Sequence, residues 1–365
     1  MEVTDVRYRV EVSKLIPFAA EILTKYGEDP EDAAITAEAL AEADICGVRS
    51  HGFVRFGQYI NRVKQGSLAV KTPVSIISES RNTALLDGHN GFGFVVCQKA
   101  LEIARAKAEK SNIAFVSVKN SNHFGAAGIW ASRLAGRDMV AFVGTNAEPI
   151  VSAPGGLGRA IGSNPFSWAA PAGKYGQLCL DISAGAMAQG KIWEYRRLNK
   201  PFPPHCWLGP DGVETTDPFY TDFAEFIMMP FGGHKGFGLA VMMEVFTSLL
   251  SGGPLDAEIP SLARDMDKQQ HLTQFFCAIS VETFRPLAEF VGDSERLIEY
   301  LHSLPVKEGA APVMYPGEPE FISRRAALKD GLLIPETVVR ELNELAESVG
   351  VAGAAQIFDQ RLEMS

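Results

Sequence analysis

The spacing of apolar residues changes along the chain, and this change restricts the fold more than any other feature. Near the N-terminus, apolar side chains recur every three or four positions, which predicts helices at residues 10–26, 30–46 and 54–64. From about residue 73, short apolar runs alternate with longer helical patterns. The runs are residues 74–77, 83–87, 114–118 and 140–143, and the helical patterns are residues 94–111 and 126–134. Alternating strands and helices predict an α/β region.

A loop-rich middle separates this region from later periodic segments. Residues 146–235 are rich in Gly, Pro, Asn and Ser, but apolar runs such as residues 178–182 interrupt them, so we expect an ordered functional surface. The segments that follow are an apolar helix, a strand and a second helix, at residues 235–250, 275–281 and 336–349. We predict a helical part formed by residues 1–72 and completed by residues 320–365, with an α/β part over residues 73–319.

Charge and cysteine content disfavour several classes of protein. The 365 residues include 34 Lys and Arg against 44 Asp and Glu, a net charge of −10, whereas a nucleic-acid-binding protein needs a basic face. No apolar run reaches the roughly 18 residues of a membrane helix, and the N-terminus lacks the pattern of a signal peptide. The cysteines are scattered without a CxxC pair. We therefore expect a reduced cytoplasmic protein with neither disulfides nor a metal site.

The usual nucleotide-binding motifs are absent. Gly88, Gly91 and Gly93 precede a predicted helix but stand in the wrong order for GxGxxG, and no segment matches GxxxxGK[ST]. These absences argue against a Rossmann fold. They do not exclude a dinucleotide, because backbone N–H groups in other turns also bind phosphate.

Three histidines lie in polar loops beside glycine: His51 in Ser-His-Gly, His123 in Asn-His-Phe-Gly and His234 in Gly-His-Lys-Gly. Histidine is the commonest general acid/base near neutral pH, and a neighbouring glycine lets a ligand approach the backbone. A surface or structural role is the alternative for each histidine. Zinc-hydrolase spacing such as HExxH is absent.

Arg55 and Tyr59 follow His51 by four and eight residues. On a single helix these steps place the three side chains near a common face. We predict that Arg55 binds a substrate carboxylate while His51 transfers a proton, with Tyr59 in the same site. Arg49 is a second candidate for the carboxylate, and a solvated arginine is the alternative role for Arg55.

Polar residues in and beside the loop-rich middle also suit a ligand. Asn146 follows a strand, at the edge where α/β sheets bind ligands. Asp181 lies near the end of an apolar run, where it binds a ribose hydroxyl, orients a histidine or caps a helix. Lys235 and Gly236 open an apolar helix, whose N-terminus suits a phosphate or a carboxylate.

Eight segments with these motifs lie in order along nearly the whole chain. They are GVRSHGFVRFGQYI (47–60), NSNHFGAAGIWA (120–131), GTNAEPIVSAPGG (144–156), IGSNPF (161–166), LDISAGAMAQGK (180–191), DGVETTDP (211–218), GGHKGFGLAVMMEV (232–245) and PGEPE (316–320). The set resembles the malate/L-lactate dehydrogenase family that lacks a Rossmann fold, also called the sulfolactate-dehydrogenase-like oxidoreductases. Ureidoglycolate dehydrogenase, diketogulonate reductase and piperideine-carboxylate reductase are relatives in this family.

The resemblance implies a fold and a reaction. The fold would be α/β and non-Rossmann, with a helical part built from both chain termini. The enzyme would transfer hydride between NAD or NADP and C2 of a small 2-hydroxy or 2-oxo acid, such as malate, lactate or sulfolactate. Reduction of a cyclic or N-alkyl imino acid is the alternative, and a non-catalytic small-molecule-binding protein is a third hypothesis. Family members are typically homodimers with the active site near the subunit interface.

The resemblance also implies roles for individual residues. His51, with Ser50 beside it, matches a proposed proton donor, His123 a second acid/base histidine, and Asp181 the aspartate tied to them. The residues that match cofactor-contacting stretches are His123, Asn146, Asp181, Ile182, Ser183, His234, Lys235, Gly236, Pro316, Gly317 and Glu318. Family members commonly read Asp-x-Ala/Ser-Thr-Ser where residues 181–185 read Asp-Ile-Ser-Ala-Gly. Two hydroxyls are therefore missing, and the choice between NAD and NADP stays open.

Overall fold

The computed structural model describes residues 5–136, 138–188 and 191–364. Its strands are β1 (Asp5–Val10), β2 (Ser75–Glu79), β3 (Thr83–Asp87), β4 (Ile113–Ser121), β5 (Met139–Thr145), β6 (Pro149–Val151), β7 (Ile161–Gly162), β8 (Phe166–Pro171), β9 (Gln177–Ile182), β10 (Trp207–Leu208), β11 (Glu214–Thr215), β12 (Ile227–Met228), β13 (Leu272–Ser280), β14 (Leu332–Pro335) and β15 (Gln360–Met364). Its α-helices are α1 (Val12–Lys25), α2 (Pro30–Ile45), α3 (Phe56–Lys64), α4 (Gly93–Ser111), α5 (Ala127–Ala135), α6 (Lys191–Arg197), α7 (His234–Glu244), α8 (Leu287–Ser303), α9 (Glu318–Asp330), α10 (Glu336–Ser348) and α11 (Ala354–Ile357).

The largest sheet of the described residues has seven strands in the order β2-β3-β4-β13-β5-β8-β9. Within it, β3 and β4 pair in parallel and every other neighbouring pair is antiparallel. A doubly wound nucleotide-binding fold has a mostly parallel sheet instead. The pairing therefore agrees with the absence of the glycine fingerprint from the sequence.

Helices cover both faces of this sheet. On one face α4 and α5 pack over alternate residues of the strands, such as Val116 and Val118 of β4, which are fully buried. The other face carries aromatic side chains, among them Phe142 and Phe275, whose ring centroids lie 4.7 Å apart. A π-helical turn (Val245–Leu249) continues α7 and packs on this face. Burial on both faces fixes the strands, and therefore the loops at their ends.

Strand register brings four chain segments to one edge of the sheet. Leu272 at the start of β13 lies opposite Ser121 at the end of β4, and Gln274 lies opposite Thr145 at the end of β5. At the same edge, β9 ends beside the start of β8, where Ile182 pairs with Phe166. The loops that follow β4, β5 and β9 and the loop that precedes β13 therefore lie close together.

A second sheet lies within the loop-rich middle, in the order β11-β10-β12-β6-β7. Its strands are short, and their stability comes from an aromatic cluster that includes Phe202, Trp207 and Phe226. The rings of Phe202 and Phe226 lie 5.6 Å apart in an edge-to-face arrangement. The described part of this segment is therefore ordered, as we expected from its apolar runs.

The two ends of the chain meet in a third sheet, where β1 lies between β14 and β15 and is antiparallel to both. Helix α10 packs against β1 and β14, and α1 packs against α2, α10 and α11. The helical interpretation of the first 72 residues missed β1. Its alternation of Val6, Tyr8 and Val10 with charged residues is the period-two signal that indicates a strand.

Several helices differ from their predicted bounds. The helix expected over residues 54–64 begins with a 3-10 turn (Phe53–Arg55) and becomes α-helical at Phe56. The helix expected over residues 235–250 consists of α7 and the π-helical turn. We did not predict α8. Within the described residues, no helix is long and apolar enough to cross a membrane.

Candidate active site

A buried carboxylate supports the turn that carries His51. This turn joins α2 to α3 through two 3-10 segments, Arg49–His51 and Phe53–Arg55. Asp44 of α2 accepts a hydrogen bond from the Phe53 backbone N–H at 2.8 Å. A Cβ on Gly52 would lie 2.3 Å from the carboxyl carbon of Asp44, so only glycine fits there. Burial raises the pKa of Asp44 to about 7.

His123 lies in the loop between β4 and α5, and Tyr59 contacts its ring. The Tyr59 hydroxyl oxygen lies 2.7 Å from His123 Nδ1. The Gly125 backbone N–H also donates to Nδ1, at 3.4 Å, so we assign Nδ1 as the acceptor and the Tyr59 phenol as a donor to it. Burial raises the pKa of Tyr59, so the phenol keeps its proton at neutral pH. In neutral His123 the ring proton is therefore on Nε2. The start of α4 packs closely against this loop. A Cβ on Gly93, the first residue of α4, would lie 2.4 Å from the His123 carbonyl oxygen, so this position requires glycine.

The rings of His51 and His123 stack with their centroids 5.6 Å apart and their planes 17° apart. Burial, and secondly the charge of Arg55, lower the pKa of His51 to about 4. Burial also lowers the pKa of His123, helped by His51, Arg55 and Arg62. Both imidazoles are therefore neutral at pH 7 in the free protein. Neutral imidazole accepts a proton, so the pair is suited to act as a base.

The prediction that His51, Arg55 and Tyr59 share one helical face is wrong. The three residues lie on two separate 3-10 turns and on α3, because Gly52 interrupts the helical pattern. Tyr59 instead contacts His123, 64 positions along the chain. Ser50 Oγ lies 2.8 Å from His51 Nδ1. The other ring nitrogen, Nε2, has no hydrogen-bond partner in the described part of the chain.

Arg55 lines the same cavity as the two histidines. Its Nε donates to the Ser50 carbonyl oxygen at 2.9 Å, and its Nη1 donates to Gln58 Oε1 at 3.1 Å. No carboxylate of the described residues forms an ion pair with it, so its charge is available to an anion. Arg49 is exposed and lies outside the cavity wall. The structure thus favours Arg55 over Arg49 as the carboxylate-binding residue.

The cavity has a volume of about 370 Å³ and is formed by the loops at the sheet edge. It brings together many residues that we predicted from the sequence, namely Ser50, His51, Arg55, His123, Asn146, Asp181, Ile182 and Ser183. It also contains residues that sequence reasoning missed, among them Glu148, Leu262 and Gln270. Their only sequence signal is their position beside a strand end or in the loop before β13.

The carboxylate of Asp181 of β9 lies against the first turn of α5, where the helix dipole favours negative charge. The Gly128 backbone N–H in this turn lowers its pKa. A Cβ on Gly128 would lie 2.8 Å from Asp181 Oδ2. Burial, and secondly Glu320, raise the pKa of Asp181 to about 6, although the Gly128 bond acts in the opposite direction.

A second cavity of about 340 Å³ adjoins the first. Val48, Ala126 and Asp181 line both of them. Glu42 lies in the wall of the second cavity, where it pairs with Arg133 at 2.7 Å and with Arg324 at 3.0 Å. The two cavities therefore adjoin along these three residues, with the second one reaching α9.

The remaining residues matched to cofactor contacts lie in several places. Asn146 uses its amide internally, since Oδ1 accepts the Thr273 N–H and Nδ2 donates to Ser248, each at 2.8 Å. His234 and Lys235 are exposed at the start of α7, outside both cavity walls, and Gly236 beside them is buried.

The Pro-Gly-Glu segment before α9 lies beside β9. Gly317 lines the second cavity, and the Pro316 carbonyl oxygen accepts the Cys179 N–H at 2.8 Å. The carboxylate of Glu318 lies 2.9 Å from His302 Nε2. Of the three residues, only Gly317 lies in the wall of the second cavity.

The sequence matches the family model described as malate/L-lactate dehydrogenase over residues 10–343, so the chain belongs to this family. It is a dehydrogenase that acts with a nicotinamide cofactor. The malate dehydrogenase of Pyrococcus abyssi is 35% identical over 352 residues, which cover 94% of this chain and 96% of that protein. The predicted family is therefore confirmed.

Solved structures confirm the fold. The sulfolactate dehydrogenase of Methanocaldococcus jannaschii superposes with a TM-score of 0.88 at 32% identity, over 96% of this chain and 99% of that one. The Δ1-piperideine-2-carboxylate reductase of Pseudomonas syringae superposes with a TM-score of 0.83 at 25% identity, over 93% and 99% of the two chains. The predicted α/β, non-Rossmann, sulfolactate-dehydrogenase-like fold is thus confirmed.

Proposed function

We propose that this protein transfers hydride between a nicotinamide cofactor and C2 of a small 2-hydroxy or 2-oxo acid of the malate, lactate or sulfolactate type. The observation that carries the proposal is the stacked pair of His51 and His123 beside the unpaired guanidinium of Arg55 in one cavity. The interconversion of a hydroxy acid and an oxo acid requires a proton-transfer group and an anion-binding group in the same cavity.

The residues present fit a nicotinamide dinucleotide. The first cavity holds the proposed acid/base residues, and the second adjoins it at Asp181, so we propose that an extended molecule occupies both. Gln270 offers a buried acceptor in the first cavity. Of the residues matched to cofactor contacts, we propose that His123, Asp181, Ile182, Ser183 and Gly317 line the bound molecule. The nicotinamide supplies or accepts the hydride when it is bound.

We propose the following roles for the chain's own residues. Arg55 binds the substrate carboxylate through its free guanidinium edge. His51 moves the proton at Nε2, because Ser50 occupies its Nδ1. His123 donates its Nε2–H to the substrate oxygen, because Tyr59 holds its Nδ1. In the reducing direction charge develops on that oxygen, where the Nε2–H of His123 stabilises it, and a protonated His51 then transfers its one proton to it.

The lowered pKa values of the histidines match the oxidising direction directly, because a neutral His51 accepts the hydroxyl proton. In the reducing direction His51 must first be protonated. A bound carboxylate near the ring favours the imidazolium, so substrate binding raises the pKa that burial lowers. Asp181 positions the first turn of α5, beside which the His123 loop lies.

Reduction of a cyclic or N-alkyl imino acid is the second candidate. Two observations favour it: the structural similarity to the piperideine-carboxylate reductase, and the lowered pKa values of both histidines. A C=N group that is already protonated in solution needs no proton from the enzyme. A site with two neutral imidazoles would therefore serve this reaction without a change of protonation.

A substrate panel tests the proposal. NADH and NADPH are each offered with 2-oxo acids and with cyclic imines, and loss of nicotinamide absorbance is followed. We expect turnover with at least one small 2-oxo acid. His51→Ala should lower kcat by about 10²–10⁴-fold, the usual contribution of general acid/base catalysis, with little change in cofactor affinity. Unchanged turnover in His51→Ala contradicts the role of His51, and turnover with imines alone selects the second candidate.

The homodimer, the cytoplasmic location and the preference between NAD and NADP stay predictions. Light scattering in solution tests the first, since a dimer has twice the 39.5 kDa mass of the chain. The same panel compares the two cofactors. Fractionation of cells that express the protein tests the location.

A further inference from the structure

Gln270 carries a buried acceptor that has no partner within the described part of the chain. The residue is 2% exposed and lies in the wall of the cavity that contains both histidines. Its Nε2 donates to the Pro260 carbonyl oxygen at 3.2 Å. A carbonyl oxygen only accepts, so this bond fixes which end of the amide carries the nitrogen. Oε1 is the atom left without a partner. A buried unsatisfied acceptor is costly, which points to a donor on a bound ligand.

The loop before β13 holds this acceptor in a fixed position. The guanidinium of Arg62 is buried and donates to the carbonyl oxygens of Leu262, Asp265 and Lys268. Ser67 Oγ also donates to a carbonyl of this loop, that of Met266. A loop held at several carbonyls does not rearrange freely. The acceptor is therefore preorganised for a ligand in the cavity.

The chemistry of the ligands decides which donor reaches Oε1. The carboxylate of a 2-oxo acid only accepts hydrogen bonds, so it is repelled by a second acceptor. The hydroxyl proton of a 2-hydroxy acid is the one transferred to His51, so it faces the imidazole. At the reacting end of the ligands, this leaves the carboxamide N–H of the nicotinamide. We infer that Gln270 Oε1 accepts a hydrogen bond from this group, an inference that rests on the proposed function.

Equilibrium binding tests the inference without turnover. The probes are NAD or NADP, whichever the wild-type protein binds more tightly, and the 3-acetylpyridine analogue of that dinucleotide, in which a methyl group replaces the amide NH2. Calorimetry gives both affinities. One hydrogen bond at a buried site corresponds to about 10-fold in affinity, so the wild-type protein should favour the natural dinucleotide by roughly this factor. Gln270→Met removes the acceptor at similar length, so the ratio of the two affinities should fall towards one. If methionine is not tolerated at this position, Gln270→Asn replaces it in the test. The shorter side chain moves the acceptor back by one methylene, so the ratio of the two affinities should again fall towards one.

Ser67→Ala is the matched control, because it loosens the same loop and leaves the Gln270 amide intact. It should keep the wild-type ratio. The inference is overturned if the ratio of the two affinities is unchanged in Gln270→Met, or if Ser67→Ala lowers this ratio by the same factor. In either case, binding of the dinucleotide by the wild-type protein still supports the proposed function. A Gln270→Met protein that loses affinity only for the hydroxy acid also overturns it. If the wild-type protein binds neither NAD nor NADP, the proposed function fails as well.

Discussion

Tyr59→Phe tests the role that the structure gives to the phenol next to His123. Tyr59 is 3% exposed, and its hydroxyl has one partner among the described residues, His123 Nδ1 at 2.7 Å. Without it, Nδ1 keeps only the long contact from the Gly125 N–H, at 3.4 Å. A lost hydrogen bond and a poorly satisfied buried acceptor together lower the free energy of unfolding by about 1–2 kcal/mol. The melting temperature should fall by about 1 °C for each kcal/mol, because the unfolding entropy of a chain of this length is large.

The same change should reduce turnover. Without the phenol donor, the proton of neutral His123 is free to move to Nδ1, and Nε2 then has no hydrogen to donate to the substrate oxygen. The loss of one hydrogen bond in the transition state, about 1.4 kcal/mol, corresponds to roughly 10-fold in kcat. The assay is steady-state oxidation of NADH with the best substrate of the panel, together with thermal unfolding followed by circular dichroism.

Tyr26→Phe is the control for Tyr59→Phe. It removes a tyrosine hydroxyl that lies 2.8 Å from Ser348 Oγ of α10 and forms no hydrogen bond with either histidine. It should leave kcat unchanged. If Tyr59→Phe lowers the melting temperature but keeps the wild-type kcat, the phenol is only structural, and our assignment of the His123 tautomer is refuted.

Three further predictions follow from the geometry. Gly52→Ala should displace the His51 turn, since the new Cβ would lie 2.3 Å from the Asp44 carboxyl carbon. Because a misplaced catalytic group reacts more slowly, kcat should fall at least about 10-fold. Gly292→Ala should instead stabilise α8 by about 0.5–1 kcal/mol with unchanged kcat, because nothing lies within 4 Å of its Cβ position. For kcat/KM, oxidation should be independent of pH above the pKa of His51, about 4, and reduction should fall tenfold per pH unit as the imidazolium is lost. Arg55→Gln removes a charge that lowers this pKa and should move both profiles to higher pH, whereas profiles at the wild-type position exclude His51 as the titrating group.

The sequence indicated the histidines of the site but not their arrangement. His51 and His123 were detectable because glycine and polar residues flank them. Their stacking depends on the register that places the end of β4 near the turn after α2, and local spacing does not contain this contact. For the same reason the Tyr59 hydroxyl was assigned to the face of His51, although it contacts His123.

Other residues show the limits of reading polarity along the chain. Asn146 was chosen because it follows a strand, yet its amide holds β13 and the π-helical turn together. Asp44 and Gln270 had no motif, and their importance comes from burial, which depends on the tertiary fold. The overall α/β class was predictable from the alternation of patterns. The pairing order of the sheet was not, because sequence periodicity does not determine which strands become neighbours.

The central claim is that hydride moves between the nicotinamide and C2 of the substrate in the cavity that contains His51 and His123. Its most direct test uses NADH or NADPH, whichever supports turnover in the panel, with deuterium at C4 of the transferred face, together with the best 2-oxo acid of the panel and mass spectrometry of the product. Our account predicts a 2-hydroxy acid that carries one deuterium at C2, formed far more slowly by His51→Ala. A product without deuterium, or the absence of any product from both 2-oxo acids and cyclic imines, would contradict it.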